Sequence, residues 1–115
     1  MKTELCDVLG IEYPIIQGAM AHISDGKFAA TVSEAGGLGV IASTLHDGQW
    51  VKEQVEIARS ITDKPFAVNL IMESDIVEEC ARMCVELKVP ICTISAGNPE
   101  KIVPILVEGG IKVIC

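Results

Sequence analysis

The sequence YPIIQGAMAHISDGKFAATVSEAGGLGVIAS, residues 13–43, contains one complete strand–turn–helix–strand unit. Pro14–Gln17 has the apolar composition of a short strand, and Leu38–Ala42 has that of a second strand. Between them, Asp25 can cap a helix that the Gly-Gly pair before Leu38 ends. Such a unit predicts two parallel strands joined by a crossover helix.

The same alternation continues along the chain. Three further apolar runs have the length of buried strands: Phe66–Leu70, Ile91–Ser95 and Ile111–Cys115. Three further helices have start signals: Asp47, Ser74 or Asp75, and Asn98 before Pro99. The sequence therefore predicts about five parallel strands and four helices in strict alternation.

Two α/β architectures fit this pattern. The strand runs are continuously apolar, which indicates a parallel sheet covered on both faces. One candidate is the first half of a TIM (β/α)8 barrel, and the alternative is an open parallel α/β sheet. The turn after the first strand lacks the GxGxxG phosphate motif, which favours the barrel. We expect residues 1–115 to be the amino-terminal portion of a single domain without an internal boundary, because the last predicted strand has no helix to cover it.

Composition excludes several classes of function. The formal net charge of −7 and the lack of a basic run argue against nucleic acid and anionic membranes as partners. No apolar run reaches the roughly 18 residues that a membrane span needs. The five cysteines are an odd number and lie in apolar contexts, so we expect reduced thiols in the cytoplasm. Cys80 and Cys84 share a predicted helix face but have no second ligand pair, so no metal site is predicted.

A candidate site lies where the predicted strands end, because ligands of such proteins bind at the carboxyl ends of the strands. The residues there are small or carry amides and hydroxyls, and they include Gly18, Ala19, Met20 and Asn69. Small residues let the backbone approach a flat, uncharged ring, and an amide can bond its edge. The alternative is structural: Gly18 makes a tight turn, and Asn69 bonds neighbouring backbone.

At these residues the chain resembles a known family. The blocks PIIQGAMAHISDGKFAATVSEAGGLGVIAS, TDKPFAVNLIM and SAGNPEK are similar, in order and spacing, to the amino-terminal half of nitronate monooxygenases, formerly called 2-nitropropane dioxygenases. The closer likeness is to the bacterial enoyl-acyl-carrier-protein reductase II branch of that family.

The resemblance implies a TIM barrel that holds FMN. It implies cofactor-binding roles for Gly18, Ala19 and Met20 in the turn after the first strand, for Asn69, and for Ala96 and Gly97 after the fourth strand. Ala19 stands where the family has a second glycine, and its methyl group could crowd a backbone contact. His22 falls where relatives often carry an aromatic residue, and we expect it in the pocket wall. The family's catalytic His and its phosphate-binding turns lie beyond Cys115, so no catalytic residue is expected in this chain.

The implied activity is an FMN-dependent oxidoreductase of fatty acid synthesis, which reduces enoyl-acyl-carrier-protein thioesters with NADH or NADPH. Two alternatives stay open. One is oxidation of alkyl nitronates with dioxygen, and the other is an inactive, truncated half-barrel. We expect the 115 residues alone to bind FMN weakly or not at all, and to lack catalysis unless copies assemble. The expected partners are a small-molecule or carrier-protein-bound substrate and a second copy, as a homodimer or through self-association.

Overall fold

The computed structural model describes all 115 residues and contains one parallel sheet. The strands are β1 (Gly39–Ala42), β2 (Phe66–Ile71), β3 (Ile91–Ser95) and β4 (Lys112–Ile114), in the order β1-β2-β3-β4. The helices are α1 (Glu4–Leu9), α2 (Gly26–Glu34), α3 (Gly48–Ile61), α4 (Val77–Glu86) and α5 (Val103–Glu108), with a 3₁₀ turn at Pro99–Lys101. None of these helices is long and apolar enough to cross a membrane.

The strand order distinguishes the two predicted architectures. Each strand pairs with the next one along the chain, and the order never reverses. A doubly wound open sheet reverses its order and places helices on both faces, whereas a barrel adds its strands in sequence with all crossover helices outside. Here α2, α3, α4 and α5 contribute to a single core on one face of the sheet. The arrangement is therefore that of a (β/α)8 barrel segment.

The two faces of the sheet differ in what covers them. On the helix-covered face, Phe66, Val68 and Leu70 of β2 point into the main core, as the alternation of a strand requires. On the opposite, inner face, a smaller core forms where α1 packs against the start of the strands, through Cys6, Leu9, Ile11, Leu38, Val40, Ala67 and Ile91. The inner face is thus covered by α1 at the amino-terminal ends of the strands.

Local sequence explains why the helices begin where they do. Asp25 accepts a hydrogen bond from the Phe28 N–H at 2.9 Å, and Asp47 accepts one from the Trp50 N–H at 2.9 Å, so both predicted caps are confirmed. The cap predicted at Ser74 or Asp75 is wrong, because α4 begins after Ile76 and no side chain caps it. Gly39 allows α2 to lie directly on β1, since a Cβ there would be 1.8 Å from the Ala29 carbonyl oxygen.

The predicted first strand is reduced to one parallel bridge, between Ile16 and Leu38. The Gln17 N–H donates to the Leu38 carbonyl at 2.9 Å, but the next hydrogen bond of the ladder involves a side chain instead of the backbone. The Val40 N–H donates at 2.8 Å to Gln17 Oε1 instead of to a backbone carbonyl. The ladder therefore stops, and the sheet has four strands rather than five.

The sequence analysis also missed α1, so the chain has five α-helices rather than four. The sequence does contain a signal for α1, but that signal extends over only a few residues. Cys6 and Leu9 are both buried at helical spacing, and Gly10 ends the helix with a left-handed φ of 74°. A helix of six residues has too few turns to show an apolar period clearly.

Candidate functional site

The loops at the carboxyl ends of the strands contain most of the non-glycine residues that have left-handed backbone. Four non-glycine residues have a positive φ, and three of them lie in these loops: His22 at 65°, Leu45 at 64° and Ala96 at 60°. Left-handed backbone is costly for residues with a Cβ and is concentrated at ligand sites and switch regions. This edge of the sheet is therefore the candidate functional site.

The turn at Gly18–Met20 is exposed and has free backbone donors. Ser24 Oγ accepts from the Met20 N–H at 2.8 Å and donates to the Met20 carbonyl at 3.0 Å, which fixes the end of the turn. The N–H groups of Gly18 and Ala19 donate to no protein group. A Cβ on Gly18 would meet nothing within 4 Å, so packing within the chain does not require glycine there.

Asn69 lies on the inner face and is only 5% exposed. Its Oδ1 accepts from the Thr93 hydroxyl at 2.7 Å, and its Nδ2 donates to Ser95 Oγ at 3.3 Å. The side chain of Asn69 therefore has structural partners within the sheet. The alternative that Asn69 bonds neighbouring backbone is wrong for its side chain, because both partners are hydroxyls of the neighbouring strand. The register explains the contact, since Asn69 pairs with Thr93 across β2 and β3.

A further hydroxyl joins this group through the backbone. Ser43, which follows β1, is 6% exposed, and its hydroxyl donates to the Asn69 carbonyl at 2.6 Å. Three hydroxyls and one amide thus form a polar group beyond the apolar inner core that α1 covers. We call Ser43, Asn69, Thr93 and Ser95 the inner polar cluster.

The loop after β3 carries the other two predicted cofactor residues, Ala96 and Gly97. Gly97 has a φ of 147° and approaches Met72 so closely that a Cβ would be 2.8 Å from the Met72 Cβ. Both observations make glycine necessary at this position. Asn98 then accepts from the Glu100 N–H at 3.0 Å, which confirms it as the start of the predicted short helix.

Two hollows adjoin this edge. An open cleft of about 540 Å³ is bounded by the loops after β1, β2 and β3, and it is lined by Thr44, Leu45, Ile71, Glu73, Ser74, Asp75, Ile76 and Ala96. Leu45 is 79% exposed beside it. A second hollow of about 250 Å³ is lined in part by His22, together with His46 and Trp50. The His46 and Trp50 rings are stacked with centroids 3.7 Å apart.

The cysteines belong to the helix-covered core rather than to this edge. Cys80 and Cys84 are both buried between α4 and the sheet. Burial, followed by the nearby Cys84, Glu79 and Asp47, raises the pKa of the Cys80 thiol to about 11. A hydrogen bond with Cys92, and then burial, raises the pKa of the Cys84 thiol. Both thiols therefore stay protonated near neutral pH, when they are poor nucleophiles and poor metal ligands.

The structure places the predicted site residues in loops at one edge of the sheet, except Asn69, which lies in the carboxyl-terminal half of β2. Ser43 and Ser95 are recognisable from the sequence as hydroxyl residues at strand ends, whereas sequence reasoning missed Thr93 and Leu45. A signal was present for Thr93, because the polar residues Thr93 and Ser95 alternate with apolar ones along β3 and so must share a face with each other. No comparable signal marks Leu45.

Comparisons with known proteins agree with this fold. A family model described as nitronate monooxygenase matches residues 2–115. The probable nitronate monooxygenase of Staphylococcus saprophyticus is 37% identical over 75 residues, which cover 65% of this chain and 21% of that protein. Among solved structures, FabK from Thermotoga maritima is 42% identical with a TM-score of 0.95, over 98% of this chain and 36% of that one.

A more distant structure, nitroalkane oxidase from Streptomyces ansochromogenes, is 21% identical with a TM-score of 0.84 over 96% of this chain and 41% of that one, and it supports the fold alone. The predicted TIM-barrel architecture is confirmed by these likenesses, and the chain spans less than half the length of each of these three relatives. The chain belongs to the nitronate monooxygenase family, whose members are oxidoreductases.

Proposed function

We propose that the carboxyl edge of this sheet binds the isoalloxazine ring of FMN. The observation that carries the proposal is the set of donors at this edge: two free N–H groups, of Gly18 and Ala19, and the amide of Asn69. A flavin ring edge offers carbonyl and ring-nitrogen acceptors, which such donors suit. The residues present therefore fit the ring. Gly97 supports the same assignment, because it holds the loop with Ala96 in a fixed left-handed conformation.

FMN, when bound, would supply hydride transfer chemistry, and the protein's part is binding and electronics. Gly18 and Ala19 would orient the ring through backbone donors. Met20, which is 38% exposed, would cover apolar ring surface. The inner polar cluster would hold the Asn69 amide in place. The negatively charged FMN phosphate would have to bind to groups outside this cleft, because the carboxylates Glu73 and Asp75 line the cleft and would repel it.

The reaction we propose is reduction of enoyl-acyl-carrier-protein thioesters with NADH or NADPH. Its support is the 42% identity to FabK, an enoyl-acyl-carrier-protein reductase II, over nearly the whole chain. Oxidation of alkyl nitronates with dioxygen is the second candidate. Its support is the family model and the nitronate monooxygenase of S. saprophyticus.

A chimera tests the two reactions. Residues 1–115 are fused to the part of T. maritima FabK that follows the matched region, and the product is loaded with FMN. We expect oxidation of NADH or NADPH that depends on crotonyl thioester. Oxygen uptake with a nitronate, without reduction of the thioester, would instead establish the second candidate. FabK itself is the control for both assays.

For the 115 residues alone we propose weak FMN binding, no turnover, and self-association. The support for weak binding without turnover is that the chain covers only 36% of FabK. We also propose that residues 1–115 form part of a single domain, because all four strands of the chain belong to one sheet. The support for self-association is the open edge at β4 and the exposure of Ile15 and Ile23 at 61% and 58%. A cytoplasmic location fits the five free cysteines, because thiols persist there. Size-exclusion chromatography at two concentrations tests the association, and a monomer at both would refute it.

A further inference from the structure

The orientation of the Asn69 amide is set by its neighbours on β3. A primary amide has an acceptor oxygen and two N–H donors, which can exchange places by rotation about the terminal bond. The Thr93 oxygen lies 2.7 Å from Asn69 Oδ1. That separation is ordinary for O–H···O and short for N–H···O, so Thr93 selects the amide oxygen rather than the nitrogen.

With the amide oxygen bound to Thr93, the amide nitrogen Nδ2 of Asn69 is the group that can donate hydrogen bonds. One N–H of Asn69 Nδ2 makes a long hydrogen bond of 3.3 Å to Ser95 Oγ. The second N–H has no protein acceptor. Ser95 is also 3.4 Å from Oδ1, so its hydroxyl alone favours neither orientation. The choice between the two orientations therefore depends on Thr93.

Because Asn69 is buried, the orientation of its side-chain amide matters for hydrogen bonding. Asn69 is 5% exposed, so bulk water competes little for its oxygen, and the Ser43 hydroxyl holds the Asn69 backbone carbonyl at 2.6 Å. The backbone of Asn69 is thus fixed, and the side-chain amide is the part that can still rotate. A hydrogen bond in such a partly dry environment is stronger than the same bond in water.

We propose that Thr93 is a positioning residue, which turns the Asn69 amide so that an N–H donor faces the open inner side of the sheet. The Asn69 side chain then recognises an acceptor atom on the edge of a bound ring, either a carbonyl oxygen or an unprotonated ring nitrogen. It does not recognise a ring N–H. This inference deepens the proposed function, and its link to a flavin ring rests on that function.

The test compares three variants of the 115-residue chain with the wild type. Thr93→Val keeps the shape of the side chain and removes the hydroxyl, and Thr93→Ser keeps the hydroxyl. Thr31→Val is the matched control, because it removes an exposed hydroxyl on α2 that bonds only within its own helix. Thr93→Ala replaces Thr93→Val if the second methyl group disrupts packing.

The first measurement needs no ligand. In NMR spectra of the free chain, the reporter is the nuclear Overhauser effect between the Asn69 side-chain N–H protons and the side chain at position 93, because the amide oxygen faces that side chain in the preferred orientation. We expect this effect to be weak in the wild type, Thr93→Ser and Thr31→Val, and to strengthen in Thr93→Val, where the amide populates both orientations. An unchanged pattern in Thr93→Val, or the same gain in Thr93→Ser, would overturn the proposal. A purely structural role for Thr93 would lower stability without moving the amide protons.

The second measurement is an FMN titration followed by amide chemical shifts. Loss of one oriented hydrogen bond of about 1 kcal/mol weakens binding about fivefold in Thr93→Val. Thr93→Ser and Thr31→Val stay within about twofold of wild type by the same reasoning. Equal affinity in Thr93→Val and wild type would contradict the role towards a ring. If the wild type shows no FMN-dependent shifts, the proposed function fails, while the ligand-free measurement still decides the orientation.

Discussion

Asn69 occupies a position that a buried parallel strand usually gives to an aliphatic residue. Its neighbours Val68 and Leu70 are fully buried in the helix-covered core, while Asn69 itself points to the inner face. The amide is tolerated because Thr93 and Ser95 supply hydrogen bonds at the same level of the next strand. A buried polar group that bonds only other polar side chains is a specific feature of this edge of the sheet.

Removing this amide should therefore destabilise the fold. Asn69→Ala leaves the Thr93 hydroxyl without its acceptor and opens space on the inner face. We expect a loss of about 1–3 kcal/mol in the free energy of unfolding, measured with urea. Gln49→Ala, which truncates an exposed amide on α3, is the control and should stay within about 0.5 kcal/mol. A cost for Asn69→Ala equal to that of the control would mean that the inner polar cluster adds no stability.

The Cys80 thiol links stability to alkaline pH. Its pKa is about 11 in the folded chain, mainly through burial, against an ordinary value of 9.0. The folded state therefore favours the protonated thiol. The resulting stabilisation is complete below pH 9 and is lost as the pH rises through about 11. Urea unfolding at several pH values should show this decline, and Cys80→Ala should make it shallower. An identical pH dependence in the variant would contradict the assignment.

At the scale of elements, the side chains of Asp25 and Asp47 cap the amino-terminal ends of α2 and α3. Asp25→Ala and Asp47→Ala each remove a 2.9 Å hydrogen bond to a first-turn N–H, so each should cost about 1 kcal/mol. Asp63→Ala, in the loop before β2, is the control and should cost less than about 0.5 kcal/mol. Thermal unfolding measures all three. An equal effect of all three variants would indicate a general charge effect instead of capping.

These caps also show why much of the fold was predictable. Asp25 and Asp47 each precede an apolar helical period, and the strands that follow are largely apolar runs, so local physics and burial agree. The first strand was mispredicted because its end is decided by a contact from Gln17 to Val40, 23 residues away. The partners of Asn69 were missed for the same reason, since a register between strands cannot be read from one strand alone.

Helix α1 has a clear role that its short sequence did not reveal. Leu9 is 4% exposed and packs on the inner face with Val40 and Ala67. Leu9→Ala should therefore cost about 2–5 kcal/mol in urea unfolding, as for other core truncations. Val8→Ala is the matched control on the same helix, because Val8 is 50% exposed. A loss below about 1 kcal/mol for Leu9→Ala would mean that α1 is not part of the inner core.

At the scale of the whole molecule, one sheet separates two environments. The helix-covered face holds the main core and the raised-pKa thiols, and the inner face is apolar near α1 and polar near the carboxyl edge. The candidate cofactor residues and the inner polar cluster therefore both lie at the polar, carboxyl edge of the inner face. The family relationship follows from the whole chain, because the family model matches residues 2–115.

The most direct measurement is a titration of the ¹⁵N-labelled 115-residue chain with FMN, followed by amide chemical shifts. Weak binding is visible in such spectra, so the weak affinity proposed for this chain does not prevent the test. The account predicts shifts at Gly18–Met20, at the Asn69 side chain and at Ala96 and Gly97, with residues of α1 unaffected. Shifts spread over the helix-covered face, or no shifts at millimolar FMN, would contradict the claim that this edge binds the flavin ring.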